Sequence, residues 1–262
     1  IYTGEDTLSL HDALPILAAR IVDANAKTLT DPGARHAGKA IKRVVVKGAF
    51  HGRTERPALY SDSSRKAYVE HLASFRGEDS VIAVAPYDTA ALRKAFADAD
   101  ANGWFIEAMF LEPVMGEGDP GRSVPVEYYN LARELTRAHG SLLLVDSIQA
   151  GLRATGYLSI VDYPGFEQAE APDMETYSKA LNAGQYPLSV LAVTEATAAI
   201  YKRGLYGNTM TANPRALRTV RGGRTEDLPA YRQRYADYKA AADLRPAEVA
   251  AARQARAARP AG

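Results

Sequence analysis

The sequence predicts an α/β domain: a mostly parallel sheet with helices on both faces. Three observations predict it. Short apolar runs recur at residues 42–47, 81–84, 105–111 and 142–145, and helical patterns lie between them. Within the runs apolar residues stand side by side rather than alternating with polar ones, as in Val44-Val45-Val46, 81–84 and 142–145, which is the pattern of strands covered on both faces. Residues with chemistry stand where the runs end: Phe50-His51 after the first, Glu112 after the third, Asp146 at the close of the fourth. In open α/β sheets, ligands bind at the carboxyl ends of the strands.

The 262 residues are enough for a full core, and 47% hydrophobic with 24% charged content is ordinary for a globular chain. A formal net charge of +1 makes no global electrostatic case for nucleic acid or an anionic membrane. No apolar run approaches the ~20 residues of a membrane span. The absence of cysteine excludes disulfides, thiolate metal sites and cysteine nucleophiles. His11, His36, His51, His71 and His139 are scattered, with no pair at ligand spacing on one helix, so no metal site is expected. The N-terminus lacks a cationic stretch followed by an apolar core, which leaves the cytoplasm as the default expectation.

The helix at 16–27 places Ile16, Ala19, Ile21 and Ala24 roughly on one face. Asp31-Pro32-Gly33 is a turn. The strand around Val44-Val45-Val46 opens into Gly48-Ala49-Phe50-His51-Gly52-Arg53-Thr54. Two glycines around an aromatic and an imidazole suit close approach to a flat ligand ring; a tight turn with a core Phe50 is the plainer reading. An amphipathic helix follows at 63–75, then a strand at 81–84, then a helix at 89–99 with Asp88 as its N-cap. The strand at 105–111 ends in Glu112-Pro113-Val114-Met115-Gly116-Glu117-Gly118. Pro125 and Gly140 frame a helix at 126–139, and the strand at 142–145 runs into Asp146-Ser147-Ile148-Gln149-Ala150-Gly151.

A strand-like run at 173–177 delivers Lys179 among small and apolar neighbours. A strand at 188–193 and a helix at 194–203 follow it. Gly207-Asn208-Thr209-Met210-Thr211-Ala212-Asn213-Pro214 is a hydroxyl-rich loop, suited to a phosphate contact and equally to plain turn chemistry. Beyond residue 220 the apolar pattern thins and alanine and arginine dominate, so residues 221–262 are expected to be a helical or disordered tail.

A lysine amine attacks a carbonyl only when neutral, a state that desolvation or a nearby cation favours. A solvated surface charge is the ordinary alternative for Lys179. With Asp146 at a strand end, however, Lys179 has the layout that pyridoxal phosphate needs. The lysine holds the cofactor as a Schiff base, and the acid keeps the pyridine nitrogen protonated.

Taken in order, the stretches beginning at Phe50, Glu112 and Asp146, together with Ser178-Lys179-Ala180-Leu181 and the 208–214 loop, resemble the class III (ω-amino acid type) aminotransferases. These are fold-type I pyridoxal phosphate enzymes, and the resemblance spans residues 16–220. It implies a cofactor-binding large domain there, a homodimer with shared sites, and transfer of an amino group from an ω-amino acid or similar primary amine to a 2-oxo acid. It further implies that Lys179 is the Schiff-base lysine and proton shuttle and that Asp146 pairs with the pyridine nitrogen. Gln149 then lies near the ring hydroxyl. Phe50 stacks on the ring, with His51 and Gly52 in the same cofactor-binding turn and Gly52 allowing close approach. Thr209 would contact the phosphate of the neighbouring subunit's cofactor. Glu117 matches the gating glutamate that pairs with an arginine when the α-carboxylate is absent. An aminomutase of the same fold, or a catalytically inactive fragment of such an enzyme, are the alternative readings.

Three departures from the family pattern stand out. Ser147 replaces the usual Glu after the ring-pairing aspartate. The phosphate-binding turn should precede the helix at Ile16, where residues 8–15 show no such pattern. The stretch from Asp6 to Ile16 resembles translated sequencing adapter, so residues 1–15 are expected to be a non-native or disordered extension. The C-terminal small domain is expected to be missing or incomplete, and the chain to be a truncated piece of a longer enzyme.

Overall fold

The computed structural model describes residues 2–4, 13–152, 154, 156–182, 189–202 and 204–205. Thr209 and the 221–262 tail lie outside the described residues.

Seven strands among these residues form one sheet. They are β1 (Tyr2–Gly4), β2 (Ala40–Val46), β3 (Val81–Val84), β4 (Trp104–Leu111), β5 (Leu142–Asp146), β6 (Met174–Tyr177) and β7 (Ser189–Val193), in the order β1-β7-β6-β5-β4-β2-β3. Strands β2 to β6 are parallel to their neighbours among themselves, while β7 runs antiparallel to β6 and β1 antiparallel to β7. The expected mostly parallel α/β sheet is present. The sequence assigns no element before Ile16; the structure pairs Tyr2–Gly4 with β7 and starts the first helix, α1 (Ala13–Thr30), three residues earlier.

Two apolar layers cover the sheet. On one face α4 (Thr89–Ala101) and α5 (Val126–His139) pack Leu92, Phe96, Tyr128, Tyr129 and Leu131 against Val44, Val46, Ile106, Met109, Leu111, Leu143 and Val145. On the other, α1 sets Leu17, Ala18, Ile21 and Val22 against Val45, Ala108, Phe110, Leu142, Leu144, Met174 and Leu191. Alternate strand residues therefore serve opposite layers, which is why apolar residues stand side by side in the strands.

The helix caps behave as their residue types require. Asp88 accepts from Ala91 N at 2.9 Å, Pro125 precedes α5, and Gly140 ends it in the left-handed region at φ 82°. The expected 63–75 helix is instead split. A short α2 (Glu55–Tyr60) precedes α3 (Asp62–His71), and Leu72, in extended conformation, separates α3 from a 3-10 turn at Ala73–Phe75. Six residues carry too little period to show in the sequence. Tertiary contacts hold α2 in place. Arg56 and Tyr60 both reach Glu107, and the Tyr60 ring stacks on Phe110 at 3.7 Å. The last helix, α6 (Glu195–Ile200), stops short of residue 203 because Tyr201 turns extended.

A β-bulge in β4 lies at Glu107. Lys42 pairs with Ile106, but Val44 pairs with Met109, so an extra residue is absorbed between them. Glu107 and Ala108 then face the α1 layer together. There Glu107, fully buried, accepts from Arg43 Nε at 2.9 Å, Arg56 Nη2 at 2.6 Å and Tyr60 Oη at 2.9 Å.

Candidate active site

The strand order puts a topological switch between β2 and β4. From β2 the chain moves outward to β3, then crosses back over β2 to β4 and continues to β5 and β6. The loops leaving β2 and β4 therefore diverge at their carboxyl ends, where such sheets bind ligands. Phe50, His51 and Gly52 lie on the first loop, Glu112 to Gly118 on the second. Asp146 ends β5 in the centre of the sheet, and Lys179 opens a 3-10 turn (Lys179–Asn182) just beyond β6. Most of the residues singled out in the sequence thus share one edge.

Asp146 is buried and its carboxylate is held from three directions. Oδ2 accepts from His51 Nδ1 at 2.9 Å, and Oδ1 accepts from Thr176 Oγ1 at 3.0 Å and from Ile148 N at 3.2 Å. An acceptor-only carboxylate fixes the proton on Nδ1 of His51, so His51 Nε2 is left buried without a hydrogen-bond partner. A carboxylate offers about four lone-pair positions, so Asp146 retains one for a further donor. Thr176 has no signal in the sequence. It faces Asp146 only because β5 and β6 pair with these two residues in register.

Gln149 packs against the loop after β4. A Cβ added to Gly116 would come within 2.3 Å of its amide, and Gln149 Nε2 is buried without a partner. The two loops also touch: a Cβ on Gly118, which has φ +67°, would stand 2.4 Å from the Gly48 carbonyl oxygen. Glycine is required there both by the space and by the backbone conformation.

Phe50 is half-buried, and the Arg53 guanidinium lies 5.0 Å over its ring. Gly52, at φ 111°, presents its carbonyl to Ser61 Oγ at 2.6 Å. Glu117 accepts from Ser63 Oγ at 3.4 Å. Lys179 is half-buried with φ +31°, a region that non-glycine residues seldom occupy. Ser147 donates to Glu175 Oε1 at 2.5 Å, so the carboxylate beside this position comes from β6.

Glu112 has no assigned role in the sequence. It is 3% exposed, Oε1 accepts from Phe50 N and Oε2 from Gly116 N, each at 2.9 Å. Burial, with the negative charge of Asp146 adding to it and His51 opposing it, pushes its carboxyl up to about 7.

The residues present fit the ring of pyridoxal phosphate. Asp146 has an acceptor position to spare for a ring N–H, Gln149 Nε2 is an unspent donor, and Phe50 supplies an aromatic face. Thr209, expected to meet the phosphate, and most of the stretch before Ile16, where the sequence lacks the family's phosphate-binding turn, lie outside the described residues.

A family model described as Aminotransferase class-III matches residues 20–222. An acetylornithine aminotransferase of Mycolicibacterium smegmatis is 35% identical over 223 residues, 82% of this chain and 52% of that protein. An ornithine aminotransferase of Emericella nidulans is 35% identical over 64% of this chain and 36% of its own length. Among solved structures, an ornithine aminotransferase from Toxoplasma gondii, with PLP partially occupying its active site, aligns at TM-score 0.65 and 26% identity. It covers 84% of this chain and 47% of that one. A transaminase from the marine bacterium Virgibacillus shares the fold at TM-score 0.61 and 20% identity, over 85% of this chain and 50% of its own. The chain spans about half or less of the length of these relatives.

Proposed function

The chain belongs to the class III aminotransferases, and from that membership we propose that it carries the cofactor-binding part of a pyridoxal-phosphate-dependent transaminase. The reaction moves an amino group from an ω-amino acid or similar primary amine to a 2-oxo acid, with Lys179 holding the cofactor as a Schiff base. The observation that carries this reading is Asp146: a buried carboxylate at the central strand end, oriented by His51 and Thr176, with an acceptor position to spare. The names of the similar proteins, ornithine and acetylornithine aminotransferases, support an ornithine-type amino acid as the donor.

When bound, pyridoxal phosphate supplies an electron sink for a carbanion. The chain's own residues do the rest. Asp146 holds a proton at the ring nitrogen, and His51 and Thr176 keep its carboxylate aimed. Gln149 donates through Nε2 to a ring oxygen. Phe50 covers one ring face and excludes water from it. The Lys179 amine carries the cofactor and moves the proton. Glu117 reads the substrate, in this proposal by pairing with an arginine when no α-carboxylate is there. Thr209, from a second copy of the chain in a homodimer, contacts the phosphate.

The test is incubation of the purified chain with pyridoxal phosphate, borohydride reduction and peptide mapping. The expected result is a pyridoxyl group on Lys179, absent in Lys179→Ala. A Lys179→Ala protein labelled as heavily as the parent chain overturns the assignment.

A further inference from the structure

The structure assigns Glu112 a role: it is a positioning residue that ties together the two loops diverging at the switch point, so that the Phe50 ring and the Glu117 turn are placed as one unit. This rests on the transaminase reading for what Phe50 and Glu117 do, but its geometry does not. The two carboxylate oxygens divide their work. Oε1 takes the amide of Phe50 on the loop after β2, and Oε2 takes the amide of Gly116 on the loop after β4, each at 2.9 Å. The same loops meet again where Gly118 lies against Gly48, and the second packs on Gln149 through Gly116. Glu112 is thus one end of a seam that joins three groups proposed to meet the cofactor ring or the substrate.

A neutral side chain of the same shape cannot do this. An amide has one oxygen, and its NH2 would face a backbone N–H. An ionised carboxylate satisfies both donors at once, and hydrogen bonds to a charged acceptor are the stronger ones. The cost is a charge buried near Asp146, with His51 offsetting part of it and the Tyr87 hydroxyl also in its field. That balance leaves the group titrating near neutral pH, and protonation removes one of the two acceptors.

The amides of Phe50 and Gly116 report the state directly and need no cofactor. In the 262-residue chain labelled with 15N-phenylalanine and 15N-glycine, both amide shifts are expected to move together between pH 6 and 8 with one midpoint near 7. In Glu112→Gln the shared titration is expected to vanish. At least one of the two amides should then exchange about ten-fold faster or more, with the β5 amides unchanged. Three results overturn the role: amides that do not titrate, amides that titrate at separate midpoints, or a shared titration that survives in Glu112→Gln. Failure to label Lys179 would strike the transaminase reading and leave this result standing; flat amides with a labelled Lys179 would do the reverse.

Discussion

At the scale of single residues, the site is a matter of which donors reach which oxygens. Asp146 is useful because its three partners leave it aimed and not saturated. Asp146→Asn replaces one oxygen by an N–H donor, which cannot accept from both His51 Nδ1 and a ring N–H. We expect this variant to retain cofactor binding while the conversion of bound cofactor to pyridoxamine phosphate by an amine donor slows by orders of magnitude. Stopped-flow absorbance checks it, and a rate equal to that of the parent chain would remove Asp146 from its assigned role. Phe50 and His51 stand out in the sequence as an aromatic and an imidazole between glycines at a strand end, and the family resemblance gives them a cofactor role that the turn alone does not. Thr176 cannot be singled out there, because it depends on strand register; Glu112 can be singled out only as an acid at a strand end, since its partners are two backbone amides contributed by separate loops.

At the scale of elements, two glycines decide whether the loops after β2 and β4 can approach. Gly118→Ala would place a Cβ 2.4 Å from the Gly48 carbonyl oxygen, against backbone that cannot rotate away, and at φ +67°. A loss of about 2–3 kcal/mol is expected in denaturant unfolding. Gly77→Ala is the control. Its φ is +70°, but nothing lies within 4 Å of the added carbon, so only the backbone cost of about 1 kcal/mol applies. Equal losses for the two would show that the loop contact contributes nothing. The β4 bulge is the other device at this scale: through it Glu107 and Ala108 stand together opposite Arg43, and Glu107 meets Arg43, Arg56 and Tyr60. No pattern in the sequence marks a bulge of this kind.

At the scale of the whole molecule, the edge of the sheet opposite the site contributes to the loss of stability in acid. His139 near the end of α5 is buried, accepts from Ile106 N at 3.2 Å, and receives the His36 Nε2–H on its carbonyl at 2.9 Å. Burial, opposed by Asp100 and reinforced by His36, Lys39 and Arg35, pushes its imidazole down to about 4. The folded state thus refuses a proton that the unfolded chain accepts below about pH 6.5. Stability therefore falls as pH drops through the window from about 6.5 to 4, by about 3 kcal/mol from this group. Urea unfolding at pH 7 and pH 4.5 should show a smaller acid loss in His139→Gln than in the parent chain. Identical losses would mean His139 is not the group responsible.

The sequence by itself determined the layered α/β architecture, the caps of α4 and α5, and the strand ends that carry Phe50, Asp146 and Lys179, because local periodicity and residue chemistry encode these directly. It also carried the family, through motifs whose order survives without coordinates. Only the tertiary structure decided the strand order, and with it the switch point between β2 and β4, because neighbours in a sheet are chosen by long-range packing. The same reason hid α2, the bulge at Glu107 and the pairing of Thr176 with Asp146. Each exists only once residues distant in sequence, Arg56 with Glu107 or Phe50 N with Glu112, have been brought within hydrogen-bond reach.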